Sequence, residues 1–146
     1  MTDGTDELGE GPLVQALIQV LGDRYHFVSR LGAGAFGEVY CVHDTMLERD
    51  VAVKRVRLDA FADAAQRKEI RERTIREAKV AAKLKHPHIV TIHDVVDRPD
   101  MSFIVMEFID GRTLAKLLKD EGRLSVEETV RLLGQTASAL DFAHQK

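Results

Sequence analysis

Three glycines, Gly32, Gly34 and Gly37, stand at i, i+2 and i+5 in the run Leu31-Gly32-Ala33-Gly34-Ala35-Phe36-Gly37-Glu38-Val39. Backbone without side chains can approach a phosphate closely and turn its N–H groups toward it. The same spacing occurs in dinucleotide-binding folds, where it follows a strand and opens a helix. Here the residues after Gly37 read EVYCVHD, a β-type run without helical period, so the loop joins two strands and the dinucleotide reading loses its context. A second candidate is Lys54, which ends Val51-Ala52-Val53-Lys54. Period-2 alternation puts Ala52, Lys54 and Val56 on one face of a strand. An ammonium turned toward a core is costly unless anions neutralise it, and phosphates plus one carboxylate would suffice. Standing alone, VAVK reads better as a strand with its lysine in solvent.

Other residue types invite chemistry and do not carry it. His86 and His88 flank Pro87, while His26, His43, His93 and His144 are scattered; with the single cysteine Cys41 and no paired ligand spacing, no metal site is indicated. One cysteine also excludes an internal disulfide. Net charge is −3, which gives no support for nucleic-acid binding. Apolar residues make up 45% and charged residues 31% of the 146, an ordinary composition for a soluble domain. No apolar run is long enough to span a membrane, and the acidic start lacks the basic region of a secretory signal. A cytoplasmic location is the expectation.

The elements that must hold these residues follow from periodicity and punctuation. Residues 1–11 read as a disordered acidic leader and 12–22 as a short helix, with Val14, Leu17, Ile18 and Leu21 on one face. That helix packs on the next domain or, alternatively, meets a partner. Strands are expected at 24–31, 38–44 and 50–57. A long helix follows within 60–84, ended by His86-Pro87. Two more strands lie at 89–96 and 102–109, turning at Asp97-Arg98-Pro99-Asp100. A helix from about Thr113 to Lys119 stops at Gly122, and Ser125 with Glu128 forms a capping box for a last helix. Val126, Val130, Leu133, Ala137 and Leu140 of that helix face inward. The fold class is α+β: a five-stranded antiparallel sheet with one long helix, then two helices. The division is 24–109 for the sheet unit with its connecting segment and 110–146 for the start of an incomplete helical unit.

Taken together, the glycine run with Val39, VAVK, IREAKVAAKLKHPHIV, SFIVMEFIDGRTL and the closing LDFAHQK resemble the protein kinase family, specifically bacterial eukaryotic-like serine/threonine kinases. The resemblance covers about residues 24–146 and rests on several motifs in the right order. It implies an N-terminal kinase lobe plus the first helices of the C-terminal lobe, with ATP, Mg²⁺ and an unknown protein substrate as partners. By matching position, Gly32, Ala33, Gly34, Ala35, Phe36 and Gly37 would cover the ATP phosphates, and Leu31, Val39 and Ala52 would enclose the adenine. Lys54 would bind the α- and β-phosphates while paired with Glu77. The plainer reading of Glu77 is a surface carboxylate beside Glu69 and Glu72. Met106 would stand at the back of the pocket, and Glu107, Phe108 and Ile109 would form the hinge.

The resemblance has two departures. The stretch between Lys54 and Glu77 is a few residues longer than is common. The H-R-D-x-x-x-x-N loop and the D-F-G motif, which supply the catalytic Asp and the Mg²⁺ ligands, do not occur in the 146 residues. Asp141-Phe142-Ala143 lies inside the last helix and reads as a surface Asp beside a buried Phe. The resemblance therefore implies the ATP-binding portion of a serine/threonine kinase, inactive by itself. The alternatives are a non-catalytic nucleotide-binding or regulatory fragment, akin to a pseudokinase, and the product of an interrupted gene.

Overall fold

The computed structural model describes residues 12–34, 37–56, 58, 63–98 and 101–146. The expected leader 1–11 lies outside them, as do the side chains of Val14 and Leu17. In chain order the elements are α1 (Pro12–Leu21), β1 (Tyr25–Gly34), β2 (Gly37–Asp44), β3 (Arg49–Val56), α2 (Ala64–Ala81), β4 (Ile92–Asp97), β5 (Ser102–Glu107), α3 (Leu114–Glu121) and α4 (Val126–His144). The five strands form one antiparallel sheet in the order β1-β2-β3-β5-β4.

Alternation sorts each strand's side chains onto two faces, and both are covered. On one face Tyr25, Tyr40, Val42, Val51, Val53, Phe103 and Val105 form a buried cluster against Val20 and Leu21 at the end of α1. Gly22 lets α1 stop there: its φ of 75° is one that glycine adopts without strain, and its N–H bonds the Ile18 carbonyl at 2.8 Å. On the other face Val56, Leu58 and Ile104 meet Ala78 of α2, with Ile70, Ile92, Val95 and Met106 at the margin.

Local signals explain the helix ends. The Asp63 carboxylate accepts the Ala65 N–H and starts α2 later than the 60–84 window suggested. After Ala81 the chain tightens through Leu84 N–H to Ala81 C=O, and the turn closed by Ile89 N–H to His86 C=O takes in Ile89, the first residue expected to be strand. That turn delays β4 to Ile92. Thr113 caps α3, Gly122 closes it at φ 77°, and the Ser125–Glu128 box at α4 forms reciprocally.

One buried charge holds the base of the sheet. Asp44, 1% exposed, takes two hydrogen bonds from Arg24, at 2.8 and 2.6 Å. It also accepts the backbone N–H groups of Met46 and Leu47. The Arg24 guanidinium pulls the Asp44 carboxyl down to about 2, against burial that would raise it, and the two N–H groups add to the pull. This fastens the start of β1 to the β2–β3 turn.

The helical segment is built differently. Neither α3 nor α4 contains a buried residue, and Val126, Val130, Leu133 and Leu140 are more than half exposed. The apolar stripe of α4 is therefore exposed among the described residues, as a helix without the rest of its lobe is expected to leave it. The helix period was right, but the described residues do not cover the stripe.

Candidate functional site

The glycine run is a hairpin more than a turn. β1 continues through Gly32, Ala33 and Gly34, and Gly34 pairs with Gly37 across the two residues Ala35 and Phe36, which lie outside the described residues. Gly37 has φ 124°, a conformation that excludes ordinary side chains. Gly32 and Gly34 have no such requirement, and a Cβ built on either meets no atom within 4 Å. Among the described residues neither conformation nor packing demands glycine there.

Strand register then assembles the rest. Gly32 pairs with Val39, Val39 with Lys54, and Lys54 with Ile104, so these residues form one row across β1, β2, β3 and β5. The next row is Cys41, Ala52 and Met106, extended to Ile92 on β4. Paired residues share a face, so Val39, Ala52, Lys54 and Met106 stand together on the side where α2 packs. Ala52 is buried, while Val39, Lys54 and Met106 are half-buried. Leu31, 46% exposed, sits beside a register shift between Arg30 and Gly32.

The structure corrects the expected ion pair. Glu77 does not meet Lys54: its carboxylate takes the Arg73 Nε–H at 2.8 Å, one helical turn back, and both side chains are well exposed. The physical reason is the roll of α2. Ile75 and Ala78 are its buried residues, so neighbouring Glu77 and Val80 (58% exposed) turn to solvent. A second anchor fixes that roll: Arg71 reaches Asp97 and the Arg98 carbonyl at the β4–β5 turn.

β5 ends at Glu107, so Phe108 and Ile109 leave the ladder, with Ile109 59% exposed. The Glu107 N–H donates to the Thr91 carbonyl at 2.8 Å, and the Glu107 carboxylate accepts the Thr91 N–H at 3.2 Å. This reciprocal clasp fixes the first residue after Met106, and only long-range pairing shows it. Ile104 was also missed, although it stands two residues before Met106 and alternation could have found it. The third missed residue is Glu38. Its carboxylate receives Arg30 at 2.8 Å, the Tyr40 hydroxyl at 3.0 Å and Arg55 at 3.5 Å, bracing three strands next to the tip of the hairpin. Burial, reinforced by the bond to Glu38, raises the Tyr40 phenol above its ordinary value.

Among the described residues the arrangement is a sheet face that carries the Lys54 cation, small or apolar walls, and bare glycine backbone at its rim. That donor set suits a purine and a run of phosphates. Among the described residues no three His, Cys, Asp or Glu side chains gather closely enough to hold a metal ion. No helix among them is long and apolar enough to cross a membrane.

Comparison with known proteins gives one answer. Residues 25–146 match the protein kinase domain family. A probable serine/threonine-protein kinase of Streptomyces coelicolor, SCO3848, is 40% identical over 129 residues, covering 86% of this chain and 19% of that protein. The serine/threonine-protein kinase PrkC of Bacillus subtilis is 36% identical over 125 residues, with the same coverages of 86% and 19%. The crystal structure of the Mycobacterium tuberculosis PknI kinase domain superposes with a TM-score of 0.69 at 35% identity, covering 84% of this chain and 49% of that one. The chain thus spans about a fifth of the curated relatives and about half of the solved kinase domain.

Proposed function

Because this chain belongs to the protein kinase family, we propose that it is the ATP-binding portion of a serine/threonine protein kinase, which transfers the ATP γ-phosphate to a protein hydroxyl in the cytoplasm. Residues 24–109 form the nucleotide lobe with its hinge, and 110–146 begin the helical lobe. One observation carries the reading. Among the described residues nothing requires glycine at Gly32 or Gly34, and both lie at the rim of the face that bears Lys54. A phosphate lying against that backbone supplies the requirement.

In this reading residues 32–37 cover the phosphates and Lys54 neutralises them. Leu31, Val39 and Ala52 enclose the base, with Met106 behind it, and the backbone of residues 107–109 orients it. ATP supplies the transferable phosphoryl group. Mg²⁺ is the family's companion ion, and the described residues offer no ligand set for it. Phosphoryl transfer depends on positioning and charge neutralisation. Since the sequence contains neither the HRD loop nor the DFG motif, residues 1–146 alone give no turnover of a peptide substrate above a Lys54→Ala control.

Calorimetric titration with ATP and Mg²⁺ tests the site. Lys54→Met weakens binding about tenfold or more, because a desolvated charge pair is lost. Glu77→Gln changes it by less than about twofold, because Glu77 forms an exposed helix pair worth only tenths of a kcal/mol. Equal affinity of wild type and Lys54→Met would refute the nucleotide site.

A further inference from the structure

Glu107 stands where β5 ends and the chain leaves the sheet, and its hydrogen bonds depart there from the ladder pattern. In a hydrogen-bonded antiparallel pair, two opposite residues exchange both of their N–H···O=C bonds. Glu107 and Thr91 complete half of that exchange, the Glu107 N–H reaching the Thr91 carbonyl at 2.8 Å. The return bond goes elsewhere. The Thr91 N–H donates to the Glu107 carboxylate at 3.2 Å, and among the described residues no backbone bond joins it to the Glu107 carbonyl. The regular ladder accordingly stops one pair earlier, at Ile92 and Met106.

Both residues are half-buried, so the Thr91 N–H needs a partner from the protein; left unpaired it would cost about 1–3 kcal/mol. A carboxylate accepts on both oxygens, and a charged acceptor makes the stronger bond. The strand opposite is already bent. Its register shifts between Ile92 and Asp94, with His93 as the extra residue, and a bulge turns its strand out of the regular ladder. A glutamate side chain can follow that displacement, where a carbonyl fixed in β5 cannot.

We propose that the Glu107 carboxylate is a surrogate ladder acceptor and, through it, a positioning residue for the base. By taking the Thr91 N–H it releases the Glu107 carbonyl from β4. That carbonyl turns with Phe108 and Ile109, which leave the ladder, and accepts a hydrogen bond from a donor on the ligand. A purine with an amino group at C6 supplies the donor, whereas a 6-oxo purine presents an acceptor. The side chain thus favours adenine over guanine without touching either. The proposal rests on the nucleotide reading and names what aims its base-recognising backbone.

Two measurements on the 146-residue chain test it. In a long-range HNCO spectrum, coupling across the hydrogen bond connects the Thr91 nitrogen to the Glu107 side-chain carboxyl carbon. Coupling to the Glu107 backbone carbonyl carbon would overturn the surrogate role. In Glu107→Ala the side-chain acceptor is gone, and the coupling moves to the backbone carbonyl at position 107.

Calorimetric titration in the presence of Mg²⁺ then compares ATP with purine riboside triphosphate, which lacks only the 6-amino group. Glu107→Ala weakens ATP by about threefold to tenfold, the range of one neutral hydrogen bond, and changes purine riboside triphosphate by less than about twofold. Glu107→Gln keeps an amide oxygen for Thr91 and regains most of the preference for ATP. Equal weakening of both nucleotides in Glu107→Ala would mean that the side chain only stabilises the lobe, and that result sinks the proposal. So does an unchanged ATP affinity. Should Glu107→Ala fail to fold, Glu107→Gln decides: coupling from Thr91 to the side-chain amide carbon with the ATP preference kept supports the role, and loss of either overturns it. If the wild type binds neither nucleotide, the nucleotide reading falls and the proposal with it, whereas equal losses in Glu107→Ala remove the proposal alone.

Discussion

The sheet and the two helices that follow it draw on similarly apolar sequence and end in opposite conditions. Phe103, Val53 and Val42 are fully buried between α1 on one side and the rest of the sheet, whereas Val130 and Leu133 of α4 are 64% and 63% exposed. The sheet closes because its faces alternate and each finds a helix within the same stretch of chain. The helices present one stripe each, and a stripe needs a second surface. Regular secondary structure with a correct cap is thus no evidence of a completed core.

The largest test of this contrast is truncation on each side of it. Phe103→Ala lowers unfolding free energy by about 3–5 kcal/mol, the usual cost of a large core cavity. Leu133→Ala stays within about 0.5 kcal/mol, as at an exposed site. Urea denaturation followed by tyrosine fluorescence reads both. Comparable losses would mean that α4 is packed as well as the sheet.

Next in size is the Arg24–Asp44 clasp. The folded-state carboxyl at about 2 lies below its ordinary 3.8, so the clasp stabilises above that ordinary value and is lost as pH falls through about 2. The gap is worth roughly 2 kcal/mol. Asp44→Asn therefore lowers stability at pH 7 and flattens its decline between pH 4 and 2, measured by thermal melts across that range. Parallel acid profiles for variant and wild type would remove the clasp from the account.

Ser125→Ala removes half of the capping box and costs α4 about 1 kcal/mol of local stability, seen as faster exchange in its first turns without a change in the sheet. The smallest energetic effect belongs to Leu133→Lys. It leaves the melting temperature unchanged, yet it reduces self-association in sedimentation velocity, because the stripe is an exposed apolar patch. A wild-type chain that is monodisperse at high concentration would show that the stripe is not sticky.

The sheet was legible because each strand carries its own alternation and each turn its own punctuation. The row Gly32–Val39–Lys54–Ile104 could not be read in that way, since it depends on the register of three strand pairs. The helix α2 shows the limit most clearly. Its composition announces a helix, but a low-contrast helix rich in Arg, Glu and Lys does not say which side faces the sheet. Ile75 and Ala78 decided that, and the decision turned Glu77 toward Arg73. Motif position alone placed the carboxylate opposite Lys54.

Local information in this chain thus determined the kinds of element, their order, their caps, the glycines that strip the hairpin rim and the family to which it belongs. Those features are set by neighbours within a few residues, where propensity, period and capping act. Tertiary structure alone decided the roll of α2 and the clasp between Glu107 and Thr91. Each depends on surfaces that meet across long separations, and their geometry is fixed by how whole faces pack.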